Sequence, residues 1–415
     1  MKKCKLKDLT VQIYDGKHGG CDAVEDTGLY FISVKDIDQY EIKYSDAMQI
    51  SQEQFDEIYE RTNLENGDTI YANTGDTIGK SVYIHDNELT DRTAFQKSVA
   101  VLKPNDSVDA RFLYYLMQYE TPRLRTAATG SGQKNLLLDT MRDFEVEVPD
   151  RPNQESISKV LGYIDDLRWS NLKVFDQLEG VLGIIYKYWF LQFDFPNDEG
   201  KPYKTSGGGM EWNPEVKKEI PIGWKVESIN SNSISSIIKP GIEYFERRNY
   251  LETSNIDDRS IIDGEWVDYE TREGRANMQP VYDSVWFAKM KNSRKHLTIP
   301  SDASWFVDKY VLSTGFCGIS CNKNAVAYIH CFISDPYFEV MKDTLAHGAT
   351  QKAVGNDDLD EIKIVIPPDD ILDRFQKKVD NIIVSEMKMV EENQRLGVIF
   401  NNLMPLLMNG QVQCK

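Results

Sequence analysis

The chain has 415 residues, and its 66 Asp and Glu against 48 Lys and Arg give a formal net charge of −18. That length exceeds a single hydrophobic core and predicts two or three domains. Ordinary hydrophobic content (41%) without any apolar run long enough to cross a bilayer excludes a helical membrane protein, and the acidity argues against nucleic-acid binding by bulk surface charge.

In chain order, MKKCKLKDLT has basic residues with no apolar stretch behind them, so no secretory signal is expected. Six cysteines without framework spacing suit a reducing cytoplasm. The tetrapeptide Gly-Asp-Thr-Ile occurs twice, at Gly67 and Gly75. Its second copy opens GDTIGKS (Gly75 to Ser81), which looks like a phosphate-binding loop one residue short, since three residues separate its glycines instead of four. The following SVYI is β-branched and aromatic, so the stretch reads as glycine turns between strands, with Asn73 and Lys80 on a loop able to touch a phosphate backbone. PRLRTAATGSGQKN (Pro122 to Asn135) is a basic run with no acid. A long helix is predicted over 151–195, with core positions Val160, Ile164, Leu167, Val174, Leu178, Val181, Ile185 and Tyr188 and a polar register point at Asn171.

GKPYKTSGGGM (Gly200 to Met210) marks a flexible linker over 196–210. KMKNSRKH (Lys289 to His296) is a second basic run with no acid. Cys317, Cys321, His330 and Cys331 cluster in sequence, but GFCGISCNKNAVAYIHC alternates like strands and lacks zinc-finger spacing, so no metal is expected. A second long helix over 369–410 presents Val379, Ile382, Met389, Leu396, Phe400, Leu403 and Leu407, interrupted by Glu386 and Asn393, with Pro405 weakening its last turn. The two helices are predicted to pair as a coiled coil.

The chain repeats itself. GQKNLLLDTMRDFEVEVP (Gly132 to Pro149) aligns with TQKAVGNDDLDEIKIVIP (Thr350 to Pro367) at an offset of 218, and GDTIYAN (Gly67 to Asn73) aligns with DSVWFAK (Asp283 to Lys289). Each copy is a mostly β module of about 150 residues followed by one long helix. The predicted division is 1–150, helix 151–195, linker 196–210, a second module over 211–368, and helix 369–410.

In that frame TGSGQKNL (Thr129 to Leu136) leads to Val148-Pro149 and a helix, IPIGWKVESI (Ile220 to Ile229) opens the second half, STGFCGI (Ser313 to Ile319) lies inside it, and LLMNGQV (Leu406 to Val412) follows near the end. In this order the chain resembles specificity subunits of type I restriction–modification systems over nearly its whole length. The resemblance implies an α+β fold: two similar target recognition domains separated by two long antiparallel helices in a pseudo-twofold repeat. It implies that each domain reads half of a split DNA site, while the helices set the gap and dock methyltransferase subunits. Two departures stand out. Thr350 replaces Gly132, and PDDILDRF after Pro367 lacks the glutamine-rich opening kept by Asn153, Gln154 and Glu155.

The sequence carries no Asn-Pro-Pro-aromatic methylation motif, true P-loop or paired nuclease acids, so no catalytic residue is assigned. S-adenosylmethionine, ATP and Mg²⁺ are expected in partner subunits: two methyltransferase subunits and restriction/translocase subunits. Bidentate donors discriminate bases, and the candidates on loops are Asn73, Lys80, Arg92, Gln96, Arg125, Gln133, Lys134, Lys291, Asn292, Arg294, Lys295 and Lys352. The repeated Gln-Lys pairs suit backbone contact or bracing better than base readout. Two alternatives remain: an NTPase using GDTIGKS, and a non-catalytic acidic assembly or decoy protein.

Overall fold

A computed structural model describes residues 1–38, 40–85, 88–130, 132–257, 259–349 and 351–412. Thr350, the substitution noted at the second loop, lies outside the described residues. The chain divides into two compact units: Met1–Trp169 with the segment from Val398 onward, and Ser170–Gly397.

The first unit runs β1 (Lys2–Lys5), β2 (Thr10–Asp15), β3 (Tyr30–Ile32), β4 (Met48–Gln49), α1 (Gln52–Thr62), β5 (Thr69–Ala72), β6 (Ser81–Tyr83), β7 (Thr93–Phe95), β8 (Val99–Pro104), α2 (Ala110–Ala127), α3 (Leu138–Arg142) and β9 (Glu145–Val148). It then enters α4 (Arg151–Tyr186). β5 is buried on both faces, which suits its β-branched and aromatic TIYA sequence, and it sits inside the antiparallel sheet β2-β8-β5-β6. Ile70, Val82, Phe95, Val99 and Val101 fill one core there. A smaller sheet, β4-β3-β7, pairs β3 parallel to β7, and β1 pairs antiparallel with β9. α2 begins where Asp109 accepts a hydrogen bond from the Phe112 amide at 2.9 Å, an N-cap that occupies an orphan donor. The first basic run is therefore half helical. Its Arg123 pairs at 2.6 Å with Glu120 one turn earlier and lies over Phe144, so that residue is not a free cation.

The second unit repeats this plan: β10 (Met210–Asn213), β11 (Lys218–Pro221), β12 (Lys225–Ser228), β13 (Ser235–Ile237), β14 (Arg248–Leu251), β15 (Glu265–Val267), β16 (Ala276–Met278), β17 (Ser284–Ala288), β18 (His296–Ile299), α5 (Ser304–Val307), β19 (Tyr310–Ser313), β20 (Phe316–Cys321), α6 (Val326–Ser334), α7 (Pro336–Leu345), β21 (Lys363–Ile366) and α8 (Asp369–Met408). Sheet β13-β20-β17-β18 has the order of β2-β8-β5-β6. Parallel β14 and β19 correspond to β3 and β7, and β12–β21 corresponds to β1–β9. The internal duplication thus extends to strand order. One expectation fails here: the stretch read as alternating strands through Cys331 is strand β20 followed by helix α6, whose residues are buried on every face and so carry no helical polarity pattern.

Within the second unit the helical segments of α4 and α8 run antiparallel. Asn171 Nδ2 donates to Glu392 Oε2 (3.0 Å) and Asn393 Oδ1 (3.1 Å), Glu179 lies beside Glu386, and Trp189 packs on Phe375 at 5.5 Å. The buried stripe of α4 is Gln154, Ile157, Ser158, Leu161, Ile164, Asp165, Phe175, Leu182 and Tyr186. The predicted seam is rotated from it. Val160, Val174, Val181 and Tyr188 are exposed, Ile164 is buried, and Leu167, Asn171, Leu178 and Ile185 lie at the margin. The true stripe admits Ser158 and Asp165, so a search for unbroken apolar spacing selects the neighbouring row. On α8, Glu386 and Asn393 belong to the seam with Val379, Ile383, Val390 and Phe400, while Ile382, Met389, Leu396 and Leu403 flank it half-buried.

α-Helical bonding in α4 stops at Tyr186 and a wider turn follows through Leu191, rather than a helix continuing to 195. The widening brings Trp189, Phe190 and Phe193 into one core with Trp224. The segment expected to be a flexible linker is folded back on that core. Tyr203 stacks on Phe195 at 4.6 Å and donates to the Gly209 carbonyl at 3.0 Å, and Thr205 Oγ1 donates to Asp194 at 2.7 Å.

Candidate nucleic-acid interface

GDTIGKS connects antiparallel β5 and β6. Four of the amides that a phosphate cradle would present are committed: Gly75 to Lys134 O (2.7 Å), Ile78 to Gly75 O (3.3 Å), Gly79 to Ala72 O (3.1 Å) and Lys80 to Thr77 O (2.9 Å). A strand follows instead of a helix. Gly79, at φ +101, is required by close packing, since a Cβ there would lie 2.3 Å from Thr121 Cγ2. The loop is a scaffold and not a nucleotide site.

What it scaffolds is a junction built twice. In the first unit Thr74 bridges Asn135, which also bridges Thr129, while the Leu136 amide donates to Asn73 O at 2.9 Å. In the second, Met290 bridges Ala353, which bridges His347, and the Val354 amide donates to Lys289 O at 3.0 Å. Gly75 N–Lys134 O has its counterpart in Lys291 N–Lys352 O at 2.9 Å. Both junction loops turn on a glycine in the conformation open only to glycine: Gly130 (φ +132) and Gly348 (φ +133), where a Cβ would meet the carbonyl oxygens of Gln133 and Gln351 at 2.4 and 2.5 Å. Gly132 has open space at its Cβ, so glycine is not needed at that position.

The junctions gather most of the candidate residues. Gln133 and Lys134 are exposed beside Gly75, Lys80 is exposed with Nζ 3.4 Å from Ile37 O, and Arg125 donates through Nε to Ile78 O at 2.8 Å. Asn73 is buried beneath them and accepts from Thr74 Oγ1 at 3.1 Å, so its side chain braces the loop. Gln96 is half-buried with Oε1 bound by Ser98, whose carbonyl takes the Asn73 amide. Arg92 stands apart, exposed beside Gly28. In the second unit Lys291 and Asn292 are exposed at the tip of the β17–β18 hairpin, and Lys352, whose carbonyl takes the Lys291 amide, is exposed on the loop before β21. Exposed Arg294 donates to the Ser334 carbonyl at 2.9 Å, and half-buried Lys295 donates to the Thr253 carbonyl at 2.5 Å, so both also brace the hairpin. The hairpin also rests on a residue that the sequence did not single out. Fully buried Lys342 donates to Ser293 O at 2.8 Å and pairs with Glu339 at 2.7 Å, a role hidden because a lysine is ordinarily exposed.

The apparently missing glutamine is also present. Gln154 Oε1 accepts from the Asp109 amide at 2.9 Å, and Gln376, about one turn further into its helix, accepts from the Ala327 amide at 2.9 Å.

The cysteine group does not assemble a metal site. Cys317 and Cys331 are buried, and burial raises both thiols, in Cys331 helped by Glu179 and Glu386. A different set converges in the second unit: Glu179, His330 and Glu386 have ligand atoms all within 4.8 Å of one another. Burial raises the Glu386 carboxyl to about 8, with Glu179 adding to the rise and His330 opposing it. Burial also acts to raise Glu179, but its contact with His330 more than offsets this and leaves it lowered.

Residues 22–180 match the family model described as the type I restriction modification DNA specificity domain. Relatives include the type I restriction enzyme MjaIX specificity subunit of Methanocaldococcus jannaschii, 24% identical over 344 residues (80% of this chain, 75% of that one). Another is the HindI specificity subunit of Haemophilus influenzae, 20% identical over 405 residues (84% and 87%). The fold is that of the crystal structure of a type I restriction–modification S subunit from M. genitalium, at TM-score 0.50 and 16% identity, covering 98% of this chain and 95% of that one. The duplicated α+β plan is the fold of that S subunit, and residues 22–180 are similar to a DNA specificity domain. Over most of its length the chain is similar to specificity subunits of type I restriction–modification systems.

Proposed function

We propose that each unit reads one half of a bipartite duplex sequence, and that the long helices set the distance between halves and dock two methyltransferase subunits. The observation that carries this is the junction repeated bond for bond, which presents exposed Lys134 in one unit and Lys291 with Lys352 in the other. Two equivalent platforms suit two half-sites better than one continuous site. Methyl transfer and cleavage belong to partner subunits that hold S-adenosylmethionine, ATP and Mg²⁺, including restriction/translocase subunits, and the assembly acts in the cytoplasm. Among the described residues no helix is long and apolar enough to cross a membrane. Exposed Val174, Val181 and Ile184 on α4 offer apolar contact to a partner.

Replacing Lys291 and Lys352 with alanine is expected to weaken DNA binding by the assembled complex. The slope of log affinity against log salt should flatten by up to about 0.9 per lost phosphate contact. Unchanged affinity and slope would place the backbone contact elsewhere.

A further inference from the structure

We propose that Glu179, His330 and Glu386 form a binding site for one divalent transition-metal ion of the zinc class. The three residues come from α4, α6 and α8, so a bound ion would fasten both helical segments to the recognition module within the second unit.

Geometry carries the first part of the argument. His330 Nε2 lies 2.9 Å from Glu179 Oε1, and all three donor atoms fall within 4.8 Å. Donors on tetrahedral zinc, at about 2.0–2.1 Å from the ion, are roughly 3.3 Å apart, so closure needs side-chain shifts of about an ångström. One imidazole nitrogen with two carboxylate oxygens is a donor set for zinc, manganese or ferrous iron and leaves a position for water. The His330 ring is also oriented as a ligand ring is, with Nδ1 2.7 Å from Thr298 Oγ1 and Nε2 turned toward the carboxylates.

The second part is an unmet need. Glu386 is only 4% exposed, and its Oε1 is sealed from solvent with no hydrogen-bond partner. A buried, unpartnered carboxylate oxygen is costly. With Glu386 ionised, two carboxylates and a neutral imidazole carry charge −2, which a divalent cation cancels. The partly exposed side chain of Glu179 supplies an approach for the ion. The repeat supports a dedicated role, because at the offset of 218 Phe112 stands where His330 does, and so the shared fold does not require this group.

The test uses the full chain stripped with chelator and titrated with Co²⁺, then Zn²⁺. One equivalent of Co²⁺ should produce a visible ligand-field band without the thiolate charge-transfer absorption that a cysteine site would add, and one equivalent of Zn²⁺ should abolish the band. Glu386→Gln should lower affinity about 100-fold or more, since losing a ligand exceeds the loss of a supporting contact. The metal-free variant should melt no lower than the metal-free parent. Zn²⁺ should raise the melting temperature of the parent, and this readout does not depend on the variant folding. A parent chain with no such band and no Zn²⁺-dependent melting shift would overturn the proposal, as would a folded Glu386→Gln chain that binds Co²⁺ equally well. Either would leave a proton shared within the cluster.

Discussion

Gly130 and Gly348 show how single residues hold the junctions. A methyl group at either would collide with a carbonyl, and their φ values lie in a region that other residues avoid. Gly130→Ala or Gly348→Ala is therefore expected to cost roughly 1–3 kcal/mol in thermal or denaturant unfolding. Gly132→Ala, with open space at its Cβ, should change stability by no more than about 0.5 kcal/mol. Equal losses at all three would show that conformation is not what these glycines supply. The Gln-Lys pairs made the junctions visible in the sequence, but the bonds that close them come from main-chain groups. Any residue supplies a carbonyl, so the letters Gln133 and Lys134 could not reveal that the backbone of Lys134 holds Gly75. Nor could they reveal that Asn73 is interior while Lys80 is exposed.

At the scale of elements, sequence periodicity found both long helices but chose the wrong row of α4. Heptad spacing follows runs of Val and Leu, whereas the buried face holds Ser158, which donates to Asp109 Oδ1 at 2.5 Å, and Asp165, 3.6 Å from Arg168. Adjacent residues make the contrast measurable. Leu182 is 1% exposed in the core with Phe375 and Ile383, and Val181 is 47% exposed. Leu182→Asp should destabilise by roughly 3 kcal/mol or more, from lost burial and an unpaired buried charge. Val181→Asp should leave the melting temperature nearly unchanged yet reduce co-purification of the methyltransferase subunit. A stable Leu182→Asp chain would contradict the packing described here. Full recruitment by Val181→Asp would remove that face from the docking surface.

At the scale of the molecule, duplication was legible because the offset is constant and the same strand order recurs in both units. The bases read were not legible, since exposed loop donors carry no fixed code. If the helices act as the ruler, four residues inserted after both Trp169 and Gly397, where the two units divide, add about 6 Å of rise and about 40° of turn. Coiled coils absorb such stutters. The gap in the methylated sequence should then lengthen by about two base pairs at 3.4 Å each, with both half-sequences kept. An active variant with an unchanged gap would mean the spacing is set elsewhere. The central claim, two modules reading two half-sites, is tested most directly by replacing residues 1–150 with the corresponding module of a relative and sequencing the methylated motif in cells. The predicted result is a new first half-site beside an unchanged second one. A change in both halves, or a single uninterrupted motif, would contradict it.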